Sequence, residues 1–261
     1  MEIFLYTLSM RNKTALITGW TSWIGLGIAK KFAECGINLI LTYFHDEQRA
    51  KKVQTELEEV GVKIVTIQAD TWHRDNIEEV FLKLKRESIG LDILVNNIWA
   101  SFPDSDDWQG FFDHHMMWTV YPSELFSDQI AKEGVIINIS SILGIDPLMY
   151  HKWARLEAYC CMKSAVNTYT KLSANKYAGK IRVNAIAPWN TETTWWEKAD
   201  SDFKEARRKD ILIGRFVDPA EIGQMAAQIV ENKALNGQIF VVDGGVVGNW
   251  YSFAKPYQGK C

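Results

Sequence analysis

Tyr159 and Lys163, in the run EAYCCMKSAV, are a phenol and an amine four residues apart. On a helix that spacing sets both side chains on one face a single turn apart, so the ammonium lies beside the phenol. A free tyrosine has a pKa of about 10, and a nearby cation favours its phenolate, which brings the group toward acid–base work at neutral pH. A second constellation stands near the N-terminus, where Thr18, Gly19, Trp20, Thr21, Ser22, Trp23, Ile24 and Gly25 join a β-branched run to an amphipathic one. A strand, a glycine turn and a helix in that order aim backbone N–H groups and a helix N-terminus at a pyrophosphate.

Other reactive side chains lack such company. His114 and His115 are adjacent, so on a helix they point to different faces, and no third ligand is spaced to join them; no metal site is expected. Cys35, Cys160, Cys161 and Cys261 form no CxxC pair, which suggests a reduced, cytoplasmic setting. Cys160 and Cys161 read as small buried hydrophobes. Tyr251 and Lys255 repeat the tyrosine–lysine spacing, but beside Pro256 and with no strand leading to them.

The elements that position these residues alternate along the chain. TALIT (14–18), NLILTY (38–43), VKIVTIQA (62–69), DILVNN (92–97), GVIINIS (134–140), IRVNAIA (181–187) and GQIFVVD (237–243) read as seven strands, separated by amphipathic stretches. Ile24, Ile28 and Phe32 step along the first helix, and Gly36 supplies its stop. Asp46–Glu59 and Arg74–Glu87 are charged helices with one apolar stripe each. The pattern predicts an α/β fold, a single doubly wound Rossmann-like domain with a seven-stranded parallel sheet. The domain is expected over residues 11–247, between an N-terminal extension (1–10, with Met10 as an alternative start) and a tail (248–261).

A composition of 47% hydrophobic and 23% charged residues is globular, and the net charge is -3. With no basic surplus, nucleic acid is excluded as the expected partner, and a small molecule takes its place. The opening MEIFLYTLSM lacks a basic start and is too short for a membrane span, so no membrane association is expected.

The motifs form an ordered set: TGxxxGxG at Thr18–Gly25 with Trp23 in place of its middle glycine, the run VNNIWA, VIINISSILG, the YxxxK of Tyr159 and Lys163, RVNAIAPWNTET, then ILIGRFVDPAEIG and NGQIFVVDGG. Over about residues 11–247 the chain resembles the short-chain dehydrogenase/reductase family. The resemblance implies that Tyr159 donates a proton to a carbonyl oxygen while a nicotinamide delivers hydride to the carbon. Ser141, with Ser140 the second choice, would hydrogen-bond that oxygen, and Lys163 would also hold the nicotinamide ribose. His115 falls where the family has a catalytic asparagine, and Asn96 where an asparagine braces the sheet near the cofactor. Cofactor contacts are implied at Gly19, Ser22, Trp23, Ile24, Gly25, Asp70 (adenine), Pro188 and Thr193 (nicotinamide amide). Tyr43 occupies the position that selects the cofactor; with no acid there, NADP(H) is favoured and NAD(H) remains open.

The implied function is interconversion of a carbonyl and a secondary alcohol, in the manner of a 3-oxoacyl-[acyl-carrier-protein] reductase, with a sugar or other secondary-alcohol dehydrogenase as alternative. Enoyl reduction is disfavoured, because family members with that activity space tyrosine and lysine more widely. A homotetramer is implied as well. Between Gly144 and Tyr159 the link is longer than in the family, making Met149, Tyr150, Trp153 and Arg155 candidate substrate contacts.

Eleven tryptophans are many for this length, and Trp23, Trp99 and Trp189 fall on family glycines in three cofactor-facing turns. Glycine accepts positive φ and lets backbone approach a ligand, and a non-glycine residue held there costs about 1–3 kcal/mol. Three readings follow. Taken literally, the rings obstruct the cleft and leave a catalytically silent binding or scaffold protein. In the second, neighbouring loops accommodate the rings. In the third, UGA codons that the host reads as glycine have been rendered as tryptophan, which removes all three anomalies together and is the reading we favour.

Overall fold

The β-branched runs assemble as one sheet because each alternates between two apolar faces. In the computed structural model, which describes residues 10–19, 23–70, 73–97, 107–130, 133–147, 156–193, 196 and 199–247, seven strands are β1 (Thr14–Ile17), β2 (Asn38–Tyr43), β3 (Ile64–Gln68), β4 (Ile93–Asn96), β5 (Gly134–Ile139), β6 (Ile181–Pro188) and β7 (Ile239–Val242). All pair in parallel in the order β3-β2-β1-β4-β5-β6-β7. The order reverses between β1 and β4, which opens a crevice at their carboxyl ends. The doubly wound α/β fold is therefore as expected, with strand ends shifted by a residue or two.

Helices cover both faces. On one side α1 (Trp23–Glu34), α2 (Glu47–Glu58) and α8 (Pro219–Glu231), which follows the short α7 (Ser201–Lys209), bury Ile28, Phe32, Val53, Ile222 and Ala226 against Ala15, Ile17, Leu39, Leu41 and Ile137. On the other, α3 (Arg74–Arg86), α5 (Trp118–Gln129) and α6 (Glu157–Lys176) bury Ile77, Phe81, Leu84, Phe126 and Ala174 against Leu16, Ile40, Leu94, Ile136 and Val183. Ala15 and Ile17 thus face one layer and Leu16 the other, the period of two that a strand imposes.

A third cluster lies at the carboxyl ends of β5 and β6: Ile142, Leu143, Cys160, Trp189, Trp196, Ile211, Phe216 and Val246. It corrects the expectation that Trp189 strains a turn at the cofactor cleft. The Trp189 ring is buried in this cluster, its backbone N–H donates to the Val242 carbonyl at 3.2 Å, and its φ is not positive. Trp23 differs in its backbone. Its φ is +36°, and the other non-glycine positive φ values among the described residues belong to Asn12 and Ser88. Cys160 is buried as read, but Cys161 is exposed, because it sits on the outer face of α6. Trp99, Ser22, Met149, Tyr150, Trp153, Arg155, Tyr251 and Lys255 lie outside the described residues. Among the described residues no helix is long and apolar enough to cross a membrane, and no His/Cys/Asp/Glu group could hold a metal ion.

Candidate active site

The turn after β1 is pinned from across the reversal point. The Thr18 hydroxyl donates to the Val95 carbonyl at 3.2 Å and accepts the Asn97 N–H at 3.1 Å. The Asn97 amide donates to the carbonyls of Gly19 and Thr18 at 2.9 and 3.3 Å. Gly19 takes φ +64°, which turns the chain toward the N-terminus of α1. Asn96 spends its amide N–H groups on the Asn138 side chain at 2.9 Å, Ser123 Oγ at 3.0 Å and the Thr119 carbonyl at 3.3 Å. That web ties β4 to β5 and α5.

Beyond β5 the backbone enters a single 3₁₀ turn, Ile142–Gly144, capped by Ser141, whose Oγ accepts the Leu143 N–H at 3.2 Å. That contact uses a lone pair and leaves the hydroxyl proton for another acceptor. Ser140 differs: its hydroxyl donates to the Lys163 carbonyl at 3.3 Å. The turn lies directly on α6. The Gly144 carbonyl accepts from Ser164 Oγ at 2.9 Å and from the Asn167 amide at 3.0 Å. A Cβ on Gly144 would meet the Lys163 backbone at 2.6 Å, so glycine is what allows this approach.

Along α6, Tyr159 is half-buried and Lys163, one turn on, is buried. Lys163 Nζ lies 5.8 Å from the centre of the Tyr159 ring and donates to the Ile139 carbonyl at 2.8 Å. Burial brings its pKa down to about 8. The preceding helical segment runs through α4 (Trp108–Phe111), a π turn (Phe112–Met117) and α5. The π turn carries His115 inward, and its ring meets Tyr159 edge to face at 5.3 Å. Burial first, then Lys163 and His114, hold His115 well below the ordinary histidine pKa, so it is neutral. Its half-buried neighbour His114 is also lowered, mainly by burial.

The remaining candidates flank this centre. Ile24 and Gly25 open α1, with Trp23 beside them in a groove of about 610 Å³ that also takes in Lys30, Arg49 and Thr193. Pro188 ends β6, buried, and Tyr43 ends β2, buried, its carbonyl accepting the Ala69 N–H at 2.9 Å. Asp70 lines a second cavity of about 690 Å³ with Phe44, Ala69 and Asn76. Three residues escaped the sequence reading. Asn97 and Gly144 act only through contacts distant in the chain, and Arg49 looked like one more charge on a solvated helix.

This donor set suits a nicotinamide dinucleotide. The buried Lys163 ammonium has three N–H groups, and the Ile139 carbonyl takes one, which leaves donors for vicinal ribose hydroxyls. The one misfit is the indole of Trp23 where a phosphate would approach the backbone.

The family model described as Enoyl-(Acyl carrier protein) reductase matches residues 19–247. The chain is 30% identical to 3beta-hydroxysteroid dehydrogenase 1 of Eggerthella lenta, over 91% of this chain and 94% of that protein. It is 27% identical to a 3-oxoacyl-[acyl-carrier-protein] reductase of Chlamydia muridarum, over 90% and 97%. Among solved structures, L-sorbose reductase from Gluconobacter frateurii, complexed with NADPH and L-sorbose, superposes with a TM-score of 0.81 at 26% identity, covering 91% of this chain and 97% of that one.

Proposed function

The chain belongs to the short-chain dehydrogenase/reductase family, an oxidoreductase acting between alcohol and carbonyl, and on that premise we propose that it reduces a 3-oxoacyl thioester on an acyl carrier protein with NADPH. The observation that carries the reading is the Tyr159–Lys163 pair: a phenol with a buried ammonium 5.8 Å from its ring centre, beside the turn that holds Ser141.

When bound, the nicotinamide cofactor supplies the hydride. Gly19, Ile24 and Gly25 would present backbone to its phosphates, Asp70 would meet the adenine, Lys163 the ribose, and Pro188 and Thr193 would frame the nicotinamide amide. Tyr159 donates its phenolic proton to the substrate carbonyl oxygen, and Ser141 directs its free hydroxyl proton at the same oxygen as charge develops there. The charge of Lys163 favours the phenolate that results. In the oxidative direction the phenolate takes the proton back. The absence of an acid at Tyr43, together with the Arg49 and Lys30 cations in the groove beside Trp23, supports the extra phosphate of NADPH over NADH.

Replacing Tyr159 with Phe is expected to lower kcat by about a hundred- to ten-thousandfold while the NADPH dissociation constant stays within about twofold of wild type. NADPH consumption and fluorescence titration read the two quantities. Turnover retained in Y159F removes the tyrosine from its role; activity on a sugar or steroid ketone in place of the thioester moves the substrate class. The strain at Trp23 favours a second reading, a silent binding protein, which is the outcome if the wild-type chain binds no NADPH.

A further inference from the structure

The aromatic surroundings of Tyr159 do more than fill space. The rings of Phe111, His115 and Tyr159 contact one another pairwise. His115 stacks on Phe111 at 5.7 Å, meets Tyr159 edge to face at 5.3 Å, and Phe111 meets Tyr159 at 6.4 Å. Phe111 and His115 are 4% and 2% exposed, so neither ring can swing into solvent without opening the helix. The π turn is what makes the group. A π turn adds a residue to the helical repeat and re-aims the side chains it carries, and this one turns His115 toward α6. The His115 carbonyl accepts the Thr119 hydroxyl at 2.9 Å, which holds the distorted turn from below.

We propose that His115 is a positioning residue: its ring, held by Phe111 and the π turn, fixes the angle of the Tyr159 phenol so that the hydroxyl meets the substrate carbonyl. The contribution is packing by a neutral ring. Burial and the charge of Lys163 oppose protonation of His115, so it does not place a second cation beside the ammonium. Edge-to-face contacts between aromatic rings carry geometric preference beyond the area they bury, and small misplacements of a reacting group cost large factors in rate.

The inference rests on the proposed reductase activity, and its test separates the two. His115→Ala is expected to lower kcat by about ten- to hundredfold, with the ketone KM and the NADPH dissociation constant within about twofold of wild type. His115→Phe keeps a ring without nitrogens and is expected to return kcat to within about threefold of wild type. Full kcat in H115A overturns the proposal. So does an H115F variant as impaired as H115A, because a ring nitrogen would then be needed. If H115A does not fold, H115F alone decides by the same criterion. Selectively labelled tyrosine gives a readout independent of turnover. The Tyr159 ring resonances are expected to carry a ring-current shift that H115A loses and H115F keeps. That shift in a wild-type protein without turnover would sink the reductase reading and keep the packing; its absence from wild type would sink the packing itself.

Discussion

Trp23 holds φ at +36° on the first residue of α1, where its ring borders the groove that also contains Thr193 and Arg49. A tryptophan in that region is strained by about 1–3 kcal/mol, whereas glycine adopts it freely. Trp23→Gly, by clearing the indole from the phosphate's approach to the backbone, is expected to tighten NADPH binding by about tenfold or more, the equivalent of at least ~1.4 kcal/mol, as read by calorimetric titration. An unchanged affinity would mean that the ring is accommodated. The decoding explanation makes its own prediction: TGA codons at 23, 99 and 189, and glycine by mass spectrometry in protein from the native host. TGG codons there would leave the tryptophans real. Trp189 shows why the two sites are not equivalent, since its ring completes a buried cluster with Ile142, Leu143 and Phe216.

At the scale of elements, the site depends on how closely the turn after β5 lies on α6. Gly144 is the contact point, and a methyl there would meet the Lys163 carbonyl carbon and oxygen at 2.6 and 2.7 Å. Neither atom can move without shifting the helix that carries Tyr159. Gly144→Ala is expected to destabilise by about 1–3 kcal/mol and to lower kcat by at least ~tenfold as Ser141 is pushed away. Gly90→Ala, where an added Cβ meets nothing within 4 Å, serves as control and leaves both unchanged. Thermal unfolding and steady-state kinetics on the two variants check this. Equal behaviour of G144A and G90A would show that the approach at Gly144 does not matter. Helix positions such as α2 and α3 were legible from their apolar stripes. The π turn was not, because its hydrogen-bond shift leaves the side-chain pattern of FDHHMM unremarkable, with Pro122 in the following helix the lone cue.

For the molecule as a whole, folding must carry the Lys163 ammonium out of water. Its pKa is lowered from an ordinary 10.5 to about 8 in the folded chain, by burial. Between those values the unfolded chain binds more protons than the folded one, so this group's contribution to stability rises with pH, and below pH 8 its cost is fully present. Lys163→Met removes a cost of up to about 3 kcal/mol. The variant's stability relative to wild type is expected to be highest below pH 8 and to decline toward pH 10.5, as measured by denaturant unfolding across that window. A difference independent of pH would show that Lys163 does not titrate there.

The sequence by itself determined the seven strands, the alternation that makes them a doubly wound sheet, and the shared face of Tyr159 and Lys163, because each follows from local periodicity. Its resemblance to the short-chain dehydrogenase/reductase family also marked position 23 as a glycine position. Only the tertiary structure decided which serine keeps a free proton, that Asn97 clamps the Gly19 turn, and that His115 meets Tyr159. Those outcomes hang on contacts between segments far apart in the chain, whose approach is set by packing across the sheet and by a single π turn rather than by any pattern within either segment.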